Sequence, residues 1–269
     1  MPESLDEALL ELVGYYARTV DPTFEYPVDN LLPEIRVCSV CCAPIEARYH
    51  MCFQCHKRKK VFGLELADAV VPISYAVRDH EHLQQFYSDL HQYKHDYPSA
   101  NAQRRLKALL LLFRIHHLPC LETKIGQPVK SVVTVPSGRE RKNHPLPEVA
   151  RMLTVSSSPR SATPLVSAKF VGPTRTGRAE GTNPDDFAFD TRLQGHVLVL
   201  EDTWVTGRNA QALAVSARRN GAENVSIVAL ARMLVYKYPP TKKLVDSWPA
   251  DARFDPTICP VPGRCHRPV

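Results

Sequence analysis

Two stretches of this 269-residue chain carry residue types whose spacing could do chemistry. The first runs Val197-Leu198-Val199-Leu200-Glu201-Asp202-Thr203-Trp204-Val205-Thr206-Gly207-Arg208-Asn209. Its uninterrupted apolar start suits a strand buried on both faces. Two acids follow at once, at the carboxyl end of that strand, where open parallel sheets bind ligands. Ionised carboxylates only accept hydrogen bonds, so Glu201 and Asp202 can take both hydrogens of a sugar diol. The turn Val205–Asn209 then points backbone N–H groups outward ahead of a helix, an anion site reinforced by the helix dipole. Gly207 lets the backbone come close to the anion, and Thr206 and Asn209 add side-chain donors. Acids for a ribose and a donor nest for its 5′-phosphate, a few residues apart, describe a ribose 5-phosphate site. The plain alternative is a strand with a polar end and a capped helix. The unbroken succession of strand, acid pair, Thr-Gly turn and amphipathic helix argues against it.

The second stretch is Cys38-x2-Cys41, ten residues, then Cys52-x2-Cys55. This is ribbon spacing: two tight turns each present two thiolates, and a tetrahedral zinc ion closes them with no position left open, so the ion is structural. It would hold Val37–Lys60 together, a segment too short to build its own core. Cys42 could replace Cys41 geometrically, and His50 and His56 are close enough to compete. The basic run His56-Lys57-Arg58-Lys59-Lys60 reads either as a phosphate or nucleic-acid contact or as a solvated face.

These residues need elements to position them. The strand His196–Leu200, the helix Asn209–Asn220 with Ala210, Leu213, Ala214 and Ala217 inward, and the strand Asn224–Leu230 make a βαβ unit, hence a parallel sheet. Strands are also expected at Val70–Tyr75, Ser131–Val135 and Leu165–Val171. Helices are expected from Ser4 to about Arg18, over Glu81–His95, Ala102–His116 and Pro147–Leu153. Gly172–Thr191 reads as a long loop, and the chain from Lys237 onward as an irregular tail. Trp204, between the acids and the turn, reads as core packing, with stacking on a base or sugar as the lesser alternative. His91 and His95, four apart on a helix, lack a third ligand. Cys120 reads as a small buried side chain, and Cys259, Cys265 and His266 have no assignment. The expected organisation is a helix and zinc ribbon over 1–62, an α/β domain over 63–235 and the tail over 236–269.

Composition excludes little. A formal charge of +6 and a pI near 8.9 suit phosphorylated ligands but fall short of a DNA-wrapping protein. The acidic start MPESLDEALLELVGYYA is unlike a signal peptide. The longest apolar run, Ala108–Phe113, is too short to span a bilayer. The chain therefore reads as cytoplasmic with no membrane partner, where paired cysteines favour metal over disulfides.

Leu200–Asn209 resembles the signature of the type I phosphoribosyltransferases: an apolar strand, two acids, two variable residues, Thr-Thr-Gly and a small hydroxylated residue. Val205 stands where the first Thr is usual, Arg208 where a small residue is usual, and Asn209 where Ser or Thr is usual. With the cysteine ribbon ahead of it and Val132-Val133-Thr134-Val135-Pro136 followed by an Arg-rich stretch, the chain from Cys38 to about Leu230 resembles the ComF family of competence-associated proteins. The resemblance implies an α/β type I phosphoribosyltransferase fold, a mostly parallel twisted sheet flanked by helices. It implies binding of phosphoribosyl pyrophosphate with magnesium, and transfer of the phosphoribosyl group to a nitrogen nucleophile. It places Ser137, Gly138 and Arg139 at the pyrophosphate and Arg175 and Arg178 in a closing hood. A second expectation is a non-catalytic adaptor in DNA uptake, with the ribbon and Lys57–Lys60 binding single-stranded DNA or a helicase-like partner.

Overall fold

Strands β9 (His196–Trp204) and β10 (Asn224–Val235) run parallel, with Val197 opposite Val225 and Leu200 opposite Val228. Helix α7 (Arg208–Arg219) crosses between them. This is the expected βαβ unit, found in a computed structural model that describes residues 4–14, 17–21, 34–137, 144–154, 162–173 and 183–263. Around it the chain forms α1 (Leu5–Val13), β1 (Arg18–Thr19), β2 (Ile35–Val37), β3 (Pro44–Glu46), α2 (Phe53–Phe62) and β4 (Ala69–Arg78). Then come α3 (Gln84–Gln92), α4 (Ala100–His116), α5 (Leu118–Ile125), β5 (Val129–Thr134) and α6 (Leu146–Thr154). Strands β6 (Leu165–Val166), β7 (Ala168–Phe170) and β8 (Phe187–Phe189) precede β9, and α8 (Pro239–Asp246) follows β10.

The main sheet has the order β1-β4-β10-β9-β5-β6, parallel except for β1, which pairs antiparallel with β4. Side chains alternate across it as the period of two requires. Leu198 and Leu200 of β9 face one layer with Leu90 of α3, Leu109 and Phe113 of α4 and Val149 of α6. Val197 and Val199 face the other with Ala210, Leu213, Ala214 and Ala217, the four residues expected on the inner face of α7. The sheet is thus covered on both sides, which is why its strands read as continuous apolar runs. No helix among the described residues is long and apolar enough to cross a membrane.

The N-terminal helix is shorter than expected. Ser4 and Glu7 form a reciprocal capping box, but Gly14, at φ 57°, ends the helix after Val13, and the chain then adds β1 to the sheet edge. The expected strand Leu165–Val171 is two strands: β6 joins the main sheet beside β5, and β7 pairs antiparallel with β8. The stretch read as loop therefore contains a strand, Phe187–Phe189. The segment after Lys237 contains the helix Pro239–Asp246 rather than being irregular throughout.

Candidate functional site

The two crossovers at the centre of the sheet diverge. From β5 the chain passes through α6 to β6 on one side, and from β9 through α7 to β10 on the other. Right-handed crossovers in opposite directions put their helices on opposite faces, and α6 and α7 do lie in different core layers. The carboxyl ends of β5 and β9 consequently flank a topological switch point, the place where open sheets take ligands. Thr134 pairs with Leu200, and the Val135 N–H donates to the Leu200 carbonyl at 3.0 Å, so Pro136-Ser137 leave β5 beside Glu201-Asp202, which are still paired with β10. Ser137 is half-buried at this edge. Gly138, Arg139, Arg175 and Arg178 lie outside the described residues, as do Cys265 and His266.

The acid pair is not two equivalent carboxylates. Asp202 is buried and accepts from the Tyr93 hydroxyl at 2.6 Å and the Lys94 ammonium at 2.8 Å, both just past the end of α3. Burial works against its charge, but Lys94, helped by Tyr93 and by His144, outweighs burial and holds the carboxyl below its ordinary pKa. Glu201 goes the other way: burial, then the neighbouring Asp202 charge, push it well above the usual carboxylate range. The environment therefore favours the charged form of Asp202 and the neutral form of Glu201, where the sequence suggests two ionised acceptors.

Strand β9 continues through the acids to Trp204 before the turn begins. Trp204 is 1% exposed, so it is a core side chain as expected. Gly207 follows as the N-cap of α7 at φ 67° and supplies no side-chain cap. A Cβ there would stand 2.0 Å from Cζ2 of Trp204 and in a conformation that L-residues avoid. Glycine is therefore required twice over. The helix opens one residue early, at Arg208, with Val205 exposed and Thr206 and Asn209 half-buried beside it.

The four cysteines converge. The sulfurs of Cys38, Cys41, Cys52 and Cys55 all lie within 4.8 Å of one another. Zinc–sulfur bonds of about 2.3 Å at tetrahedral angles place neighbouring sulfurs about 3.8 Å apart, and Cys41 and Cys52 are 3.8 Å apart. The Cys52 N–H donates to Cys38 Sγ at 3.3 Å. Cys42 is outside the group; its carbonyl accepts from the buried Tyr75 hydroxyl at 2.7 Å. His50 is exposed, its ring 3.1 Å from Arg36. Without a cation the protons divide unequally: hydrogen bonds from Cys38 hold Cys41 low and bring Cys52 down to about 7, while Cys38 and Cys55 are pushed up by the same contacts. Four thiols crowded this way are stabilised by a cation that takes all four as thiolates.

The cysteine group and the turn share a wall. Cys38, Cys41 and Cys55 belong to the same apolar layer as Val70, Val135, Trp204 and Ala210. Buried Arg232 donates to the carbonyls of Trp204 at 2.9 Å, Val205 at 3.1 Å and Met233 at 2.7 Å. Burial opposes its charge, yet Cys41 and Cys52 raise its pKa above the ordinary value. Neither Arg232 nor the Tyr93-Lys94 pair was singled out from the sequence. Apart from the adjacent Met233 carbonyl, their partners lie 27 to 109 residues away along the chain, and no local pattern marks them.

Of the basic run, helix α2 exposes His56, Lys57, Lys59 and Lys60 and half-buries Arg58, which donates to its own Gln54 carbonyl at 2.8 Å. Phe53 on the same helix is 74% exposed. His91 turns back to the Tyr87 carbonyl at 2.8 Å, and neither it nor His95 belongs to any group of three possible ligands among the described residues. The chain matches no family model, no curated protein and no solved structure. The fold and site define an α/β protein with a mixed, mostly parallel six-stranded sheet flanked by helices, and a four-cysteine group suited to a metal ion.

Proposed function

We propose that the chain is a ComF-like protein of the type I phosphoribosyltransferase class, binding phosphoribosyl pyrophosphate or a related ribose 5-phosphate ligand. The observation that carries this reading is the placement of Glu201-Asp202 at the end of β9, with the Thr206-Gly207 turn directly after it, at the topological switch point. The 5′-phosphate would lie on the turn Val205–Asn209, against the amino end of α7. The ribose diol would lie on the acid pair, with Asp202 accepting and protonated Glu201 both accepting and donating. Lys94 would then share Asp202 with the sugar, which keeps that carboxylate ionised and aimed.

In the reaction proposed, the nitrogen nucleophile forms a bond to the anomeric carbon as the bond to pyrophosphate breaks, and pyrophosphate leaves with its electron pair. Ionised Asp202 would stabilise the positive charge that develops on the ribosyl group. Magnesium would supply counter-charge to the pyrophosphate. Zinc would be the ion of Cys38, Cys41, Cys52 and Cys55, with a structural role.

Calorimetric titration of the Asp202→Asn protein with phosphoribosyl pyrophosphate and magnesium tests the reading. Binding is expected to be lost while the circular dichroism spectrum is retained. Binding as tight as that of the parent chain overturns it.

The second reading, a non-catalytic adaptor contacting single-stranded DNA or a helicase-like partner, is favoured by one feature. Helix α2 presents Phe53 with Lys57, Lys59 and Lys60 to solvent, a stacking side chain among phosphate-binding cations. Single-stranded DNA binding that weakens steeply with salt and vanishes when the three lysines are neutralised supports the adaptor. Pyrophosphate release on addition of bases supports the enzyme.

A further inference from the structure

Helices α4 and α5 meet at His117, which ends one and begins the other. Cys120 lies three residues into the corner, and the C-terminal segment brings Cys259 against it. One ring nitrogen of His117 and the sulfurs of Cys120 and Cys259 all lie within 4.8 Å of one another. Neither cysteine is in a disulfide.

The histidine says what the group is for. Its Nε2 stands 2.7 Å from the Pro256 carbonyl oxygen. A carbonyl can only accept, so Nε2 carries the ring hydrogen and Nδ1 carries the lone pair. His117 is 5% exposed, and its Nδ1 is buried with no hydrogen-bond partner among the described residues. A buried acceptor left unpaired costs free energy, and native proteins rarely leave one. Burial favours the uncharged form of the ring. A neutral imidazole whose far N–H is tied to a backbone carbonyl is the second-shell arrangement of a metal-bound histidine. One such nitrogen and two cysteine sulfurs are a zinc-type donor set.

We infer that His117, Cys120 and Cys259 bind one zinc-class divalent cation, separate from the four-cysteine group, that fastens the C-terminal segment to the α4–α5 corner. The segment is already led there: Asp255 and Thr19 exchange two hydrogen bonds, the Asp255 N–H to Thr19 Oγ1 at 2.8 Å and the Thr19 hydroxyl to the Asp255 carbonyl at 3.1 Å. Phe254 and Val261 enter the main core on either side of Cys259. The cation supplies the missing partner of His117 Nδ1. A Cys120–Cys259 disulfide would leave that nitrogen orphaned. The inference does not depend on the phosphoribosyl reading.

The test is metal content of the full chain, purified under reducing conditions and measured by plasma mass spectrometry, for the parent, Cys259→Ser and His117→Asn. Each variant is expected to hold one zinc equivalent fewer than the parent while keeping the four-cysteine ion. An unchanged content in both variants overturns the inference, as does a Cys120–Cys259 disulfide found in the parent by non-reducing mass spectrometry. Cobalt titration of the metal-stripped parent covers the case where a variant fails to fold. Two equivalents bound, the second with weaker thiolate-to-cobalt absorption in keeping with two sulfurs rather than four, supports the site. Saturation at one equivalent overturns it.

Discussion

The Arg232 guanidinium donates from a single nitrogen to the carbonyls of Trp204 and Val205, at 2.9 and 3.1 Å, and so anchors the point where β9 gives way to the Thr206-Gly207 turn. Because Cys41 and Cys52 sustain its charge, the same side chain joins the cysteine group to the turn. The ribbon is thus a wall of the candidate site rather than an appendage.

Replacing Arg232 by methionine fills the volume but leaves buried carbonyls without a donor and two thiolates without a nearby cation. Truncating one partner of a buried charged network costs about 3–5 kcal/mol. Arg232→Met is expected to lower stability by that amount in guanidinium titrations and to weaken phosphoribosyl pyrophosphate binding, with Arg232→Lys between it and the parent. A variant as stable as the parent would show the anchor to be dispensable.

Gly207→Ala forces a Cβ onto the Trp204 ring, 2.0 Å from Cζ2, and an L-residue into a φ of 67°. Left-handed backbone costs about 1–2 kcal/mol and overpacking about 1–3 kcal/mol. Relief requires Trp204 or the turn to move, so a loss of roughly 2–5 kcal/mol should come with a red shift of Trp204 emission and loss of phosphate-ligand binding. Unchanged emission would mean that the ring and the turn are not in register as described.

Lys94→Met removes the cation from buried Asp202 but leaves the Tyr93 hydrogen bond. Lys94 retains some exposure, so the cost is about 1–3 kcal/mol, below that of breaking a fully buried pair. The sign with pH follows from the depressed pKa of Asp202. Its contribution is present above the unfolded-state value of about 3.9 and is lost as pH falls through the lower folded value. The difference in unfolding midpoint between parent and variant should therefore be full at pH 7 and shrink in strong acid. A difference that grows in acid would contradict the pairing.

His196 opens β9 fully buried, its ring 3.1 Å from the Gln127 carbonyl and 2.8 Å from Ser226 Oγ. Burial lowers its pKa. A depressed histidine contributes stability above its unfolded value of about 6.5, and loses it as pH falls through the folded value, because the ring must charge while the unfolded chain charges freely. Unfolding midpoints measured from pH 8 down to pH 5 should fall on the acid side, and His196→Gln should flatten that limb. An acid limb unchanged by the substitution would place the titration elsewhere.

What was legible in the sequence was local. The run from Val197 to Asn220 disclosed strand, turn and helix because each signal sits within one turn of the next, and the cysteine spacing disclosed its group for the same reason. Two helices escaped because proline misled: Pro119 and Pro239-Pro240 look like breakers, but each stands in a first helical turn, where a missing N–H costs nothing. The environment of the acids escaped for a different reason. Tyr93 and Lys94 reach Asp202 only because α3 packs on the sheet face that carries Leu198 and Leu200, and nothing within either segment specifies that meeting. Cys120 read as a small buried side chain because its companions, His117 and Cys259, are joined only by the fold.

The shared wall makes the last prediction. An isolated ribbon stripped of its ion would unfold alone, since its folding free energy is its binding free energy. Here Cys38, Cys41 and Cys55 are buried in the layer that holds Val70, Val133, Val135 and Trp204, so removing the ion should open that layer as well. Trp248, its ring tilted against that of Tyr75 with centroids 6.0 Å apart, is the second of the chain's two tryptophans. In a Trp248→Phe background the emission therefore reports Trp204 alone. Chelation in that background is expected to lower the unfolding midpoint and to shift Trp204 emission to the red in a single transition, and Cys41→Ser should reproduce both effects without chelator. If the cysteine segment instead loses its structure while Trp204 emission and the main transition stay in place, the ribbon folds independently and Arg232 transmits nothing between the metal group and the turn.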